Sequence, residues 1–158
     1  MGPKSVRLVT VVIRQIMTES VVTAGPDVAV REVATIMRDS NVGSVVIVDG
    51  SDRPTAIVTD RDLAVSALAS GASPEEPVIS HATKPLITGD PATDVEEAAA
   101  LMVQNRIRRL PIVENLALVG IVTLDDLATR PGRLELDPRM TAEITRAVIP
   151  DFYFQQRG

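Results

Sequence analysis

The sequence predicts a mixed α/β (α+β) protein built from two tandem βαββα modules, related by pseudo-two-fold symmetry and followed by a C-terminal helix. Two observations carry this prediction. The chain repeats itself, and each copy alternates short β-branched apolar runs with one amphipathic helical pattern. In addition, each copy contains an apolar run that passes directly into Thr-x-x-Asp, which is typical of a strand leading into a helix.

The repeat is found by aligning Met17 with Ala82, an offset of 65 residues that holds without a gap as far as Asp49 opposite Glu114. One residue is missing from the turn of the second copy, so the offset is 64 afterwards. Such a period is too long for a solenoid unit and favours two small modules that share one core. The identical pairs include Thr18/Thr83, Thr23/Thr88, Pro26/Pro91, Val30/Val95, Glu32/Glu97, Ala34/Ala99, Met37/Met102, Val48/Val113, Ile57/Ile121, Val58/Val122, Thr59/Thr123, Asp62/Asp126, Leu63/Leu127 and Ala64/Ala128.

The first copy follows an apolar, extended lead-in over residues 6–13 and a short helical turn through Ile16 and Met17. The Gly-Pro-Asp break after its first strand predicts a helix start, and Gly71 predicts the end of its second helix. The expected strands are Val21–Thr23, Val45–Val48 and Ala56–Val58, and the expected helices are Val28–Ser40 and Asp60–Ser70. The buried face of the first helix is predicted to hold Val30, Val33, Ala34 and Met37.

The second copy is expected to repeat these elements. A capping box over 93–96 starts its first helix, and Pro111 inside a strand indicates a sheet edge or a bulge. The helix is predicted to bury Val95, Ala98, Ala99 and Met102, and the strands are expected at Leu110–Val113 and Leu118–Val122. A C-terminal helix beginning at Asp137-Pro138 is predicted to carry an apolar stripe of Met140, Ile144, Ala147 and Val148.

The two Thr-x-x-Asp corners admit two interpretations. Thr59 and Thr123 are expected to be N-caps, with Asp62 and Asp126 as the third helical residues, and this capping-box pattern needs no ligand. The same geometry leaves backbone N–H groups and a positive dipole end that favour an anion, beside a carboxylate that can accept hydrogen bonds from a sugar diol. Because the surrounding sequence is repeated together with this corner, we favour the second interpretation, a binding site.

Composition excludes several classes of function. The chain has no Cys, and no apolar run approaches the roughly 20 residues of a membrane span or resembles a signal peptide, which favours a cytoplasmic protein without membrane contact. A net charge of −5 and only one Tyr and two Phe make nucleic-acid binding unfavourable. No phosphate loop, dinucleotide fingerprint or metal-spaced His/Cys set occurs, and the single histidine, His81, is expected to lie solvated in a linker, so we expect no enzyme and no required cofactor or metal.

These motifs together resemble the CBS domain, and two in tandem resemble a CBS pair, or Bateman module. The resemblance rests on Met-Thr-x-x-Val-Val-Thr-x-x-Pro-Asp, on Val-Gly-Ser-Val-Val-Ile-Val-Asp and on Ile-Val-Thr-Asp-Arg-Asp-Leu in the first copy. Arg-Arg-Leu-Pro-Ile-Val-Glu and Gly-Ile-Val-Thr-Leu-Asp-Asp-Leu carry it in the second copy. The expected boundaries are 13–71 for the first module, 72–81 for a linker, 82–130 for the second module and 131–158 for a C-terminal extension with a helix.

The resemblance implies a regulatory sensor module that binds adenosine-containing ligands in up to two clefts between the modules. AMP or ATP is the expected ligand, with ADP, NAD and S-adenosylmethionine as further members of the class. By position, Asp62 and Asp126 match the residues that bind ribose, and Val22, Val42, Ile87 and Ile107 match those that line adenine. The residues expected near phosphate are Thr59, Arg61, Thr123, Arg108 and Arg109.

The sequence departs from the family pattern at Ala56, which replaces a Gly, and at residues 43–46, which replace a basic lead and a Pro. In the second corner Asp125 stands where Arg61 stands in the first, so we expect a phosphorylated ligand to prefer the Asp62 corner. The resemblance also implies a homodimer formed by helices of both modules, and a separate effector protein is a possible partner. Two alternatives stay open: a structural dimerisation module with empty clefts, and a regulator that contacts nucleic acid.

Overall fold

A computed structural model describes residues 10–129 together with the helical residues Arg139, Ala142, Glu143 and Arg146. The predicted C-terminal apolar stripe and most of the extended lead-in therefore lie outside the described residues. Residues 10–129 divide into two compact units: one contains residues 18–89 and 111–121, and the other contains residues 10–17, 90–110 and 122–129. None of the helices in the described part of the chain combines the length and apolarity needed to cross a membrane.

The first unit contains the whole first copy of the repeat. Its sheet has the order β1-β2-β3, with β1 parallel to β2 and β2 antiparallel to β3. The elements are β1 (Thr23–Ala24), α1 (Val30–Ser40), β2 (Ser44–Val48), β3 (Pro54–Thr59), α2 (Asp60–Asp62), a π-helix (Leu63–Leu68) that continues α2, and a 3-10 turn (Val78–Ser80).

The core of this unit forms around β2, where Val45, Val46 and Ile47 are consecutive and fully buried. Both faces of this central strand are covered, which explains its continuous run of apolar residues. On α1, Val33 and Met37 are buried as predicted, but the prediction for Ala34 is wrong because its side chain is exposed. Ala34 follows Val33 by one position, which turns it about 100° around the helix and away from the sheet.

The segment over 72–81 packs onto the first unit. Within it, Val78 is fully buried in the core, and its backbone N–H donates to the Val28 carbonyl at 2.8 Å. In the second unit, Ile13 N–H donates to the Thr93 carbonyl at 2.9 Å. Positions 13 and 93 correspond by the repeat to 78 and 28, so the lead-in to each copy bonds to the region before the helix of the other copy.

The second copy forms α3 (Val95–Gln104), β4 (Arg109–Glu114), β5 (Ala117–Thr123) and α4 (Leu124–Thr129), after a 3-10 turn at Ile13–Gln15. Its sheet has two strands, β4 and β5, whereas we predicted three. The expected third strand is reduced to one parallel bridge between Gly89 and Ile112. Gly89 stands before Asp90-Pro91, and these residue types are poor strand formers. Pro111 is tolerated because β4 meets only this single bridge on that edge.

Helix α3 confirms the predicted buried face, since Val95, Ala98, Ala99 and Met102 are all buried. The prediction of a capping box over 93–96 is wrong. The N-cap is Asp94, whose carboxylate accepts a hydrogen bond from Glu96 N–H at 2.7 Å. Thr93 instead donates its backbone N–H to the Asp90 carbonyl, which holds it in the preceding turn.

The helix that follows β3 differs from the regular α-helix expected over 60–70. Only Asp60–Asp62 is α-helical, and Leu63–Leu68 is a π-helix. Gly71 ends this stretch with a φ of 74°, in the left-handed region that the sequence predicted for a glycine terminator.

Replacing this glycine tests the backbone argument. Gly71→Ala places a Cβ where nothing lies within 4 Å, so the cost comes from the left-handed backbone alone. That cost is about 1–2 kcal/mol, which should lower the melting temperature by roughly 2–8 °C at about 2–4 °C per kcal/mol. The matched control is Gly50→Ala, which has equal space and no positive φ, and should leave the melting temperature unchanged or raise it. Equal effects of both variants in a thermal melt would contradict the argument.

Candidate functional site

The first corner is closed by three hydrogen bonds between Thr59 and Asp62, which run in both directions. The Asp62 Oδ2 atom accepts from the Thr59 backbone N–H at 2.9 Å and from its Oγ1 hydroxyl at 2.8 Å. In return, the Thr59 Oγ1 atom accepts from Asp62 N–H at 3.1 Å. Both residues are half-buried. The capping box predicted for this corner is confirmed.

The second corner repeats the two bonds that involve backbone N–H groups. The Asp126 Oδ2 atom accepts from Thr123 N–H at 2.9 Å, and Thr123 Oγ1 accepts from Asp126 N–H at 3.0 Å. In both aspartates only Oδ2 is used. No hydrogen bond to the Oδ1 atom of Asp62 or Asp126 is formed by any residue that the structure describes. Each corner therefore presents one carboxylate oxygen that is held in place and still able to accept.

One backbone hydrogen bond ties each helix start to the residue before the neighbouring strand. Asp60 N–H donates to the Gly43 carbonyl at 3.1 Å, and Leu124 N–H donates to the Arg108 carbonyl at 3.0 Å. The residue that supplies this carbonyl is Arg108 in the second corner, whereas in the first corner it is Gly43, which has no side chain. The second corner also carries a buried leucine where the first has the exposed Asp60. The same backbone geometry is therefore lined by different chemistry in the two copies.

The cations predicted near phosphate differ in their surroundings. Arg61 is exposed and makes no ion pair with any residue between 10 and 129. Arg108 lies 3.8 Å from Asp125 between Nη2 and Oδ1, with both side chains partly exposed. Arg109 is half-buried at the start of β4. Arg108 thus offsets the Asp125 charge that the sequence placed in the second corner, whereas Arg61 at the Asp62 corner has no such partner among the described residues.

The four residues predicted to line adenine share one local environment: each is an apolar side chain that is half-buried. Val22 and Val42 pack against the core of the first unit. Val42 N–H donates to the Met37 carbonyl at 3.0 Å, and Ile107 N–H donates equivalently to Met102 at 3.0 Å. Ile87 precedes the single bridge at Gly89. Half-buried apolar side chains of this kind are what one face of a purine requires.

The side chain of His81 is less exposed than the sequence predicts. It was expected to be solvated, but only 8% of its side chain is exposed. Its Nε2 atom lies 3.1 Å from Glu76 Oε2, and its Nδ1 atom lies 3.0 Å from Ser66 Oγ. The signal was in the repeat, because the 65-residue offset places His81 opposite Ile16, which is 3% exposed.

The described residues hold no group of three or more His, Cys, Asp or Glu that could bind a metal ion. What the corners offer is recognition by a carboxylate oxygen, a hydroxyl, neighbouring apolar side chains and, in the first copy, the exposed guanidinium of Arg61.

Comparison with known proteins agrees with the repeat. The family model described as the CBS domain matches twice, over residues 13–68 and 78–132. The chain belongs to the CBS-domain family. It is 39% identical over 116 residues to the CBS domain-containing protein YhcV of Bacillus subtilis, an alignment covering 73% of this chain and 82% of that protein.

Two solved structures show what similar CBS proteins bind. CBS domain protein PAE2072 from Pyrobaculum aerophilum, solved in complex with AMP, has a TM-score of 0.71 at 25% identity, covering 86% of this chain and 99% of that one. The CBS domain pair of protein MJ0100, solved with 5'-methylthioadenosine and S-adenosyl-L-methionine, has a TM-score of 0.69 at 27% identity, covering 75% and 93%. The predicted architecture of two tandem CBS modules is confirmed.

Proposed function

We propose that this chain is a regulatory module that binds an adenosine-containing ligand, with AMP or ATP preferred, at the Asp62 corner. The observation that carries the proposal is the state of the Asp62 carboxylate. Its Oδ2 atom is held by two hydrogen bonds from Thr59, while its Oδ1 atom accepts none from the described residues. A ribose diol needs an acceptor of this kind, fixed in direction before the ligand arrives.

The ligands of the structural neighbours support the chemical class. Those proteins were solved with AMP, 5'-methylthioadenosine and S-adenosyl-L-methionine, which share an adenosine group and differ at the 5' position. The shared group matches what both corners of this chain have in common. The variable group matches the position at which the corners differ, where Arg61 in one copy corresponds to Asp125 in the other.

The charges favour a phosphorylated ligand at the first corner. Arg61 is exposed and unpaired among the described residues, so it can pair with a phosphate without breaking an existing ion pair. At the second corner, the neighbouring arginine Arg108 already lies 3.8 Å from Asp125. We therefore propose that the Asp126 corner stays empty or takes a less anionic member of the class.

The first test removes the charge of the ribose acceptor. Asp62→Asn keeps an oxygen that can cap Thr59, but it replaces a carboxylate bond to ribose, worth about 1.5–3 kcal/mol, with a neutral one. AMP affinity measured by calorimetry should fall roughly ten- to a hundred-fold. Asp126→Asn is the matched control, because it alters an equivalent cap and should change AMP affinity little. If Asp62→Asn binds AMP as tightly as the wild type, Asp62 serves only as a cap.

The second test separates the phosphate from the nucleoside. Arg61→Ala should weaken AMP or ATP binding much more than adenosine binding, because adenosine has no charge for the guanidinium to meet. Arg108→Ala and Arg109→Ala, measured with the same two ligands, show whether either cation near the start of β4 contributes. Equal losses for charged and uncharged ligands would show that Arg61 does not contact phosphate.

Assembly supplies a further prediction. Val65 and Leu68, on one π-helix, have 58% and 79% of their surface exposed, which suits an interface between copies of this chain. We expect a homodimer by light scattering at tens of micromolar protein, and Leu68→Glu should shift it towards monomer. Leu116→Glu, at another exposed leucine, is the control. A wild-type protein that scatters as a monomer throughout this range would overturn the prediction.

A thermal-shift panel of adenosine ligands distinguishes the proposed function from the two alternatives. A ligand at about 100 times its dissociation constant adds about 2.7 kcal/mol of stability. A dimer without any ligand-dependent shift would indicate a structural module, and salt-dependent retention of DNA or RNA would indicate a nucleic-acid regulator.

A further inference from the structure

The two copies differ at one buried position next to the first corner. Where Ile16 is 3% exposed in the second unit, the first unit has the half-buried His81, whose side chain is 8% exposed and whose two ring nitrogens each have a partner. An apolar residue at this position would satisfy packing alone. A buried imidazole with two hydrogen bonds also fixes which groups lie on either side of it.

The partners determine the donors and acceptors. An ionised Glu76 carboxylate can only accept, so the ring nitrogen facing it, Nε2, carries a proton. In the neutral imidazole Nδ1 is then an acceptor, and the Ser66 hydroxyl donates to it. With a neutral imidazole the hydrogen bonds therefore run in one direction: Ser66 donates to His81, and His81 donates to Glu76.

Ser66 belongs to the element that begins at the ligand corner. Asp62 is the last residue of α2, and the π-helix Leu63–Leu68 continues from it without a break. In the second copy, the residues equivalent to 60–65 form the α-helix α4 (Leu124–Thr129). π-Helices are rare and are frequent at functional sites. The hydrogen bond to His81 is thus made by the irregular part of the helix that begins at Asp60.

Glu76 and His81 belong to the segment that joins the two copies. Glu76 Oε1 accepts from Ser73 N–H at 3.2 Å, and the Glu76 carbonyl accepts from Val30 N–H at 2.9 Å. The Glu75 carboxylate, on the same segment, is paired with Arg31 of α1 at 2.8 Å. The backbone hydrogen bond and the ion pair therefore attach the segment to α1, and His81 attaches it to the π-helix.

We propose that His81 is a positioning residue that couples the Asp62 corner to the segment 73–81. It holds the π-helix, and with it the start of the helix that carries Asp62, in one placement relative to that segment. Occupancy of the corner by a nucleotide is then transmitted to the chain that connects the two copies. This coupling rests on the proposed binding of a nucleotide at Asp62, and by thermodynamic linkage it acts equally in both directions.

The test uses AMP as the probe and the full chain throughout. His81→Ile copies the residue that the second unit accepts at this position, so the protein should fold, and AMP affinity should change by at least about five-fold. His81→Asn retains a group near the Nδ1 position that can bond Ser66, and it should restore affinity to within about two-fold of the wild type. His81→Gln reaches only towards Glu76 and should not restore it. Ser66→Ala, an exposed change, should reproduce the His81→Ile effect.

A spectroscopic readout separates coupling from a merely structural role. His81 is the only histidine of the chain, so its two imidazole ¹⁵N resonances are assigned without ambiguity. Addition of AMP should move the Nδ1 resonance in the wild type, and Ser66→Ala should abolish that movement.

The outcomes distinguish the two claims. If AMP raises the melting temperature of the wild type while the imidazole resonances stay fixed and His81→Ile binds normally, the proposed function stands and the coupling is wrong. If His81→Asn fails in the same way as His81→Ile, transmission through Ser66 is wrong. If AMP gives no thermal shift with the wild type, both the proposed function and the coupling that rests on it are wrong.

Discussion

The reciprocal cap between a threonine and an aspartate is the interaction on which each copy of the repeat depends. In both copies it ends a buried strand and starts a helix within one residue, and it uses only one oxygen of the aspartate. A helix start leaves backbone N–H groups without hydrogen-bond partners. A capping side chain satisfies them without occupying space in the core. Because the cap fixes the carboxylate, the remaining oxygen is placed for recognition by the same bonds that stabilise the fold.

The backbone around the cap is equally well conserved between the copies. The bond from Asp60 to Gly43 and the bond from Leu124 to Arg108 set the helix start against the residue before the neighbouring strand. Main-chain bonds of this type do not depend on side-chain identity, so the two copies keep one geometry while their side chains diverge. Because of this difference, one corner presents the exposed Arg61 and the other presents Arg108 beside Asp125.

The residues that follow the first corner also differ from their counterparts. An irregular helix there meets His81, whose side chain is 8% exposed, whereas the second unit has the buried Ile16 at the position equivalent to His81. A buried polar group must find partners or destabilise the protein, and His81 finds both within its own unit. These two contacts join the helix after Asp62 to the segment that contains Glu76.

The sequence by itself determined the repeat, the order of strands and helices and both caps, because these follow from local periodicity and short-range hydrogen bonding. Val33 and Met37 were placed correctly because helical spacing brings them to one face. The sequence did not by itself determine that the strand at Gly89 is missing, that a π-helix follows Asp62 or that the His81 side chain is buried. The burial of His81 depends on contacts such as that with Ser66, 15 residues away in the chain, which form only after folding. A histidine between polar neighbours has the pattern of a solvated loop, and only the tertiary structure places Ser66 and Glu76 on either side of it and closes the core around Val78.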